Sequence, residues 1–140
     1  MGERYYFDTS IWLDFLEDRD KPNLPKTTWA KKLIDKIALS KSTIILSDNN
    51  LLELESLGYS RIDISILLHS LRSIIVRVES TSQQIGKAKD LSQKRGVPKR
   101  DALHALLARD NHALLVTLDE HFNQLRDIII PHKPKEFIES

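Results

Sequence analysis

The sequence predicts an α/β protein: a three-layer α/β/α domain around a mostly parallel central sheet. Short aromatic or branched apolar runs at residues 5–7, 43–47, 73–78 and 114–117 read as buried strands. Between them lie longer stretches with apolar residues three and four apart, the spacing of one helix face. Strand and helix alternate along the chain, as in βαβ units that build a parallel sheet.

Taken in order, Tyr5-Tyr6-Phe7 ends a first strand, and Ile11, Trp12, Phe15 and Leu16 continue at helical spacing until Lys21-Pro22-Asn23-Leu24-Pro25 breaks the helix. From Thr28 a second helix presents Trp29, Leu33, Ile34, Ile37 and Ala38 on one face. Thr43-Ile44-Ile45-Leu46-Ser47 is the next strand, followed by a short helix from about Asn49 to Ser56 that Gly58 stops. Ser60 with Asp63 forms a capping pair for a helix with an apolar stripe of Ile64, Leu67, Leu68 and Leu71. The branched run Ile74, Ile75, Val76, Val78 is a strand. Residues 82–95 form a helix closed by Gly96, and residues 101–110 form another, with Asn111 placed to take a left-handed cap. Residues 114–117 are a buried strand, 120–125 a short helix, and 127–130 a last strand before Pro131.

With 140 residues, of which 41% are hydrophobic, the sequence reads as a single domain over residues 1–140. The absence of cysteine excludes a disulfide framework and thiolate chemistry and suits a reducing cytoplasm. No long apolar run suggests a membrane span, and Met1-Gly2-Glu3-Arg4 has the character of neither a signal peptide nor a myristoylation site. The protein is expected to be soluble and cytoplasmic.

Four carboxylates carry the chemistry. Asp8, Glu53, Asp101 and Asp119 each fall where a predicted strand has ended or a helix begins, which brings them to one edge of a parallel sheet, where α/β folds bind ligands. Two carboxylates about 5 Å apart repel by roughly 3 kcal/mol at an effective dielectric of about 20. A hard divalent cation such as Mg²⁺ or Mn²⁺ relieves that repulsion. Each acid also has a simpler role open to it, Asp8, Asp101 and Asp119 as helix caps and Glu53 as a surface glutamate. Capping does not explain why all four share one edge.

Neighbouring residues refine the site. The hydroxyls of Thr9, Ser10 and Thr117 stand beside Asp8 and Asp119, suited to orient the carboxylates. Glu55 ranks behind Glu53, since on a helix the two point apart. The histidines show no partnership with a serine nucleophile and are not expected to act as general bases. Net charge is only +1, but Lys87, Lys89, Lys94, Arg95, Lys99 and Arg100 gather before Asp101, opposed by Asp90 alone. Of these, Lys94, Arg95, Lys99 and Arg100 are the expected contacts to the backbone phosphates of a phosphodiester polymer. The alternative for the same residues is a solvated helix face.

At these residues the sequence resembles the PIN-domain family, and more narrowly its VapC-type toxins. The matching stretches are Phe7-Asp8-Thr9-Ser10; Ser47 and Leu52-Glu53-Leu54-Glu55; Pro98 and Asp101-Ala102-Leu103-His104-Ala105; and Val116-Thr117-Leu118-Asp119-Glu120-His121-Phe122. The resemblance spans nearly the whole chain, in order. It implies an α/β/α fold, a Mg²⁺- or Mn²⁺-dependent ribonuclease, a homodimer, and an antitoxin that blocks the site. Asp8, Glu53, Asp101 and Asp119 are then the acidic quartet, both metal-holding and catalytic, and Thr117 the hydroxyl before the last acid. The sequence departs from the family pattern at Asp48-Asn49-Asn50, more polar than the aliphatic segment expected there, and at Leu118, where a polar residue is common. An inactive PIN-fold binding module is the competing reading. An aspartyl-phosphate enzyme would need an acid at position 10, where Ser10 stands. The aliphatic helix around residues 62–71, with Trp12 and Trp29, is more apolar surface than one small core needs, so part of this set is expected to lie in a homodimer contact.

Overall fold

A computed structural model describes residues 2–139. Five strands form one sheet: β1 (Arg4–Phe7), β4 (Thr43–Ser47), β5 (Ile75–Val78), β6 (Leu114–Val116) and β7 (Pro131–His132), in the order β5-β4-β1-β6-β7. Every neighbouring pair runs parallel. A separate two-stranded hairpin, β2 (Asp20–Lys21) with β3 (Leu24–Pro25), occupies the predicted break.

Side chains alternate across the sheet with the two-residue period of a strand. Tyr5, Phe7, Ile44, Leu46 and Val116 face α1 (Thr9–Leu16) and α2 (Lys26–Leu39), with Leu54 of α3 (Asp48–Ser56) and Leu67 of α4 (Arg61–Ser70). Tyr6, Ile45 and Leu115 face the opposite layer, built from α5 (Ser82–Arg95), α6 (Lys99–Asp110) and a 3₁₀ helix over Glu120–Leu125. The three layers are those the sequence predicts. Both faces are covered, which is why the strands read as continuous apolar runs rather than alternating ones.

Local chemistry explains the boundaries. The Ser60 and Thr81 side chains cap α4 and α5 in reciprocal pairs with Asp63 and Gln84. Gly96 closes α5 with φ 67°, a conformation that favours glycine. After α6 the left-handed residue is His112, with φ 52°, rather than Asn111, whose φ is −96°; the Asn111 side chain instead donates to the Leu107 carbonyl. The expected strand at 127–130 is displaced. The amides of Ile128 and Ile129 both turn back to the Leu125 carbonyl, so pairing with β6 begins only at Pro131. A short C-terminal helix, α7 (Lys135–Ile138), adds Phe137 against Tyr5.

Trp12 is wholly buried in the first core layer, against Phe7. It is therefore unavailable for an external contact, which leaves that role to the rest of the apolar set. The core needed the ring, because β1 and α1 meet there. Trp29 is partly buried. Ile62 and Ile66, by contrast, are strongly exposed on α4, while Ile64 and Leu67 on the same helix are buried.

Candidate metal centre

Strand order places β1 at the centre. The chain runs outward from it through β4 to β5 and then returns to its other side at β6. The reversal between β1 and β6 opens a crevice at their carboxyl ends, the place where such sheets bind ligands. Asp8 follows β1 directly, and Thr117 and Asp119 follow β6.

Asp8 is buried and caps α1, accepting from the Ile11 amide at 3.2 Å. Its two oxygens are also held by hydroxyls, Ser10 at 2.6 Å and Thr117 at 2.5 Å. Burial raises its pKa, and these hydrogen bonds partly oppose the rise. Thr117 also accepts from the Asp119 amide at 2.9 Å, so one hydroxyl links both acids across the crevice.

Asp101 stands in the first turn of α6, and Asp119 caps the 3₁₀ helix. Ligand atoms of Asp101, Asp119 and His121 all lie within 4.8 Å of one another. The His121 Nδ1 is 3.1 Å from an oxygen of Asp119 and 3.3 Å from Oδ2 of Asp101. Even so, Oδ2 of Asp101 is buried and receives no hydrogen bond. Burial, together with the charges of Asp119 and Asp8, pushes the Asp101 carboxyl up to about 6, against a partial offset from His104 and His121. A buried carboxylate oxygen without a donor is costly, and a cation of the oxygen-preferring class would satisfy it.

Glu53 projects from α3 toward the same edge. Its Oε1 accepts from Thr9 at 3.0 Å and lies 2.5 Å from Nε2 of His104. Burial raises its pKa most, but the hydrogen bonds from His104 and Thr9 and the charge of Arg100 act against it, and the net shift is downward. Glu53 is thus ionised before Asp101.

The four predicted acids lie at one sheet edge, but in distinct settings. Asp101 and Asp119 share a close cluster with His121, while Asp8 and Glu53 are each fastened by hydroxyls. The residues flagged as orienting groups all make such bonds: Thr9 to Glu53, Ser10 and Thr117 to Asp8. Among the basic residues, Arg95 is committed elsewhere. Its guanidinium forms two bonds to Asp127, at 2.6 and 2.9 Å, and one to the Gln124 carbonyl. Lys94 lies on the outer side of α5, in a shallow groove with Lys87 and Asp90. Lys99 and Arg100 open α6 beside Asp101, both exposed.

Sequence reasoning missed His104 and His121. The signal was their spacing: His104 follows Asp101 by three residues on one helix, the distance at which side chains become neighbours, and His121 follows Asp119 by two. The polar stretch Asp48-Asn49-Asn50, a departure from the family pattern, also has a physical reason. Asn50 pairs reciprocally with Ser47 to cap α3 and donates to Thr9 and the Phe7 carbonyl. Asn49 reaches His104, and Asp48 holds Ser80.

The sequence model of the PIN domain matches residues 5–128, a span that includes all four acids. This chain belongs to the PIN-domain family. No curated protein matches it. Among solved structures, the PIN domain described here is similar to VapBC2 from Rickettsia felis, crystallised bound to a DNA fragment from its promoter. The TM-score is 0.65 at 19% identity, covering 93% of this chain and 98% of that one. It is also similar to a toxin–antitoxin complex from Klebsiella pneumoniae (TM-score 0.63, 18% identity, 93% and 97% covered). FitAcB from Neisseria gonorrhoeae is a further neighbour (0.59, 17%, 94% and 98%). At these identities the likeness is one of fold.

Proposed function

We propose that this PIN domain is a divalent-metal-dependent endoribonuclease and the toxin of a toxin–antitoxin pair. The observation that carries the metal reading is the buried Asp101 oxygen with no donor, set beside Asp119 and His121. Asp101 and Asp119 would hold Mg²⁺ or Mn²⁺, with Asp8 and Glu53 completing the acidic quartet and His121 offering a ring nitrogen. When bound, such an ion supplies positive charge to a scissile phosphate and lowers the pKa of water. Thr117 fixes Asp8 relative to Asp119, Ser10 holds the other Asp8 oxygen, and Thr9 holds Glu53. As the water oxygen bonds to phosphorus the P–O3′ bond breaks; Asp101 or Glu53 would take the water's proton and solvent would protonate the leaving oxygen, giving a 5′-phosphate and a 3′-hydroxyl. The toxin reading and the antitoxin partner are supported by the fold shared with the toxin–antitoxin complex from Klebsiella pneumoniae. None of the described helices is long and apolar enough to cross a membrane, in keeping with a cytoplasmic role for the whole chain as one domain.

Cleavage of a mixed-sequence RNA with Mn²⁺ or Mg²⁺, abolished by EDTA, is the expected result. Tight Mn²⁺ binding without cleavage of any RNA would favour the alternative of an inactive binding module. RNA is held by Lys99, Arg100 and Lys94. Because Arg95 is tied to Asp127, Arg95→Ala is expected to leave RNA affinity nearly unchanged. Lys99→Glu with Arg100→Glu should weaken it at low salt and flatten its salt dependence by about one unit of slope per lost phosphate contact. Equal effects of the two changes would reverse this assignment.

A homodimer contact on α4 is the reading that its surface supports, since Ile62 and Ile66 are exposed and line a groove with Arg61, Ser65, His69 and Ser70. Light scattering at micromolar concentration should give a dimer for the wild type and a monomer for Ile62→Asp/Ile66→Asp. A wild-type monomer would exclude the contact.

A further inference from the structure

His104 is nearly inaccessible to solvent, at 1% exposure, yet it is surrounded by polar partners. Its Nε2 faces Glu53 at 2.5 Å, and its Nδ1 faces the Tyr6 hydroxyl at 2.6 Å and the Asn49 amide nitrogen at 3.1 Å. The partners decide which nitrogen carries the proton. The Asn49 amide nitrogen donates to the Arg100 carbonyl at 3.2 Å and packs over the imidazole, 3.1 Å from Nδ1 and 3.4 Å from Nε2. An ionised carboxylate can only accept, so the Nε2 that faces Glu53 is the N–H donor, and Nδ1 is left to accept. Tyr6, buried and with its pKa pushed well above the usual value by desolvation, keeps its proton and donates to the same Nδ1.

The direction of the other bonds follows. Asn50 donates to Thr9, and Thr9 donates to Oε1 of Glu53. Two chains of donors, one through Tyr6 and His104 and one through Asn50 and Thr9, therefore end on the same oxygen. No hydrogen bond from another described residue falls on Oε2. A carboxylate on a helix side chain has three rotatable bonds, and fixing one oxygen from two sides removes most of that freedom before any ligand arrives.

We propose that His104 is a positioning residue. It pins Oε1 of Glu53 so that Oε2 alone is presented to the divalent cation. The proposal rests on the reading that Glu53 belongs to the metal centre, and it assigns to His104 and Tyr6 a purpose that the acids alone do not require. Buried polar networks of this kind specify one arrangement only when every member is satisfied, and here both ring nitrogens are.

The test is Mn²⁺ affinity by calorimetry on the folded, full chain. His104→Leu is expected to bind Mn²⁺ at least about tenfold more weakly, the loss typical when a group orienting a metal ligand is removed. His104→Gln, whose amide NH₂ replaces the Nε2–H donor, should recover to within about threefold of wild type. In a Glu53→Gln background, His104→Leu should cost nothing further, because the carboxylate it positions is gone. Equal affinity for wild type and His104→Leu, or an undiminished loss in the Glu53→Gln background, overturns the role of His104 and leaves the metal reading standing. A wild type that binds no Mn²⁺ overturns the metal reading, and this role with it. Nitrogen-15 spectra of the wild-type imidazoles give a check without any variant: His104 should show a protonated Nε2 and a bare Nδ1, and the reverse tautomer overturns the proposal.

Discussion

Asp101→Asn is expected to reduce metal-dependent RNA cleavage by at least about 100-fold while the protein stays folded. The substitution keeps the shape of the side chain but removes the charge that opposes a cation. Folding does not need that charge. Its Oδ2 receives no hydrogen bond in the protein, and the Asp119 and Asp8 carboxylates repel it. The metal-free variant should melt at the same temperature as wild type or a few degrees higher near pH 7.5, losing only the modest benefit of an acid in the first turn of α6. Asp8→Asn is a less clean comparison, since Asp8 accepts from two hydroxyls and a backbone amide that an NH₂ group cannot fully replace. Circular dichroism melts beside a cleavage assay separate the two effects. An Asp101→Asn protein that cleaves like wild type would remove Asp101 from the chemistry, and one that unfolds would return it to a structural role.

The second large effect is a linkage between protons and metal. The Asp101 carboxyl sits at about 6 in the folded protein, against 3.8 as its ordinary value. Its raised pKa means that the folded chain holds the proton more tightly than the unfolded chain does. That contribution to stability is present below about pH 4 and lost as pH rises through about 6. Asp8, raised by burial, acts in the same direction. The metal-free wild type should therefore lose on the order of 1–2 kcal/mol relative to Asp101→Asn between pH 4 and 7, after allowance for partial exposure. Mn²⁺ competes with that proton. Its apparent affinity should fall roughly tenfold per pH unit below about 6, and binding near pH 6 should release a proton into the buffer. Calorimetry in two buffers of different ionisation enthalpy measures the release. Affinity flat from pH 5 to 7 would show that Asp101 does not hold the ion.

The central strands were legible because β1, β4 and β6 are buried on both faces and so carry nearly uninterrupted apolar runs. The same reading failed at residues 127–130. Ile128 to Ile130 look like a strand in isolation, but the Leu125 carbonyl captures two of the amides, a contact that composition does not encode. At the site, the acids could be found from their places after strands and at helix starts, since that rule depends on chain order alone. The histidines could not be found so. His104 lies among apolar α6 residues and gains its meaning only when β1, β4 and α3 bring Tyr6, Ser47 and Asn49 to it. Trp12 shows the converse limit: spacing alone does not say which members of an apolar set go inside, and the space between β1 and α1 takes this ring.

The two ends of the sheet also constrain how this protein meets others. Strand β7 is two residues long and begins with Pro131, which has no amide proton to offer. At the opposite side, β5 carries Arg77 within a four-residue strand, so a charged side chain interrupts its apolar run. Neither margin is a template on which a further strand could grow. Association by backbone pairing, the route to runaway polymers, is discouraged on both flanks. What the surface does offer is side-chain relief on helices, the exposed Ile62 and Ile66 among it. Partners would then be chosen by shape and side-chain chemistry, and the assembly would close at a fixed number of subunits instead of extending into fibres.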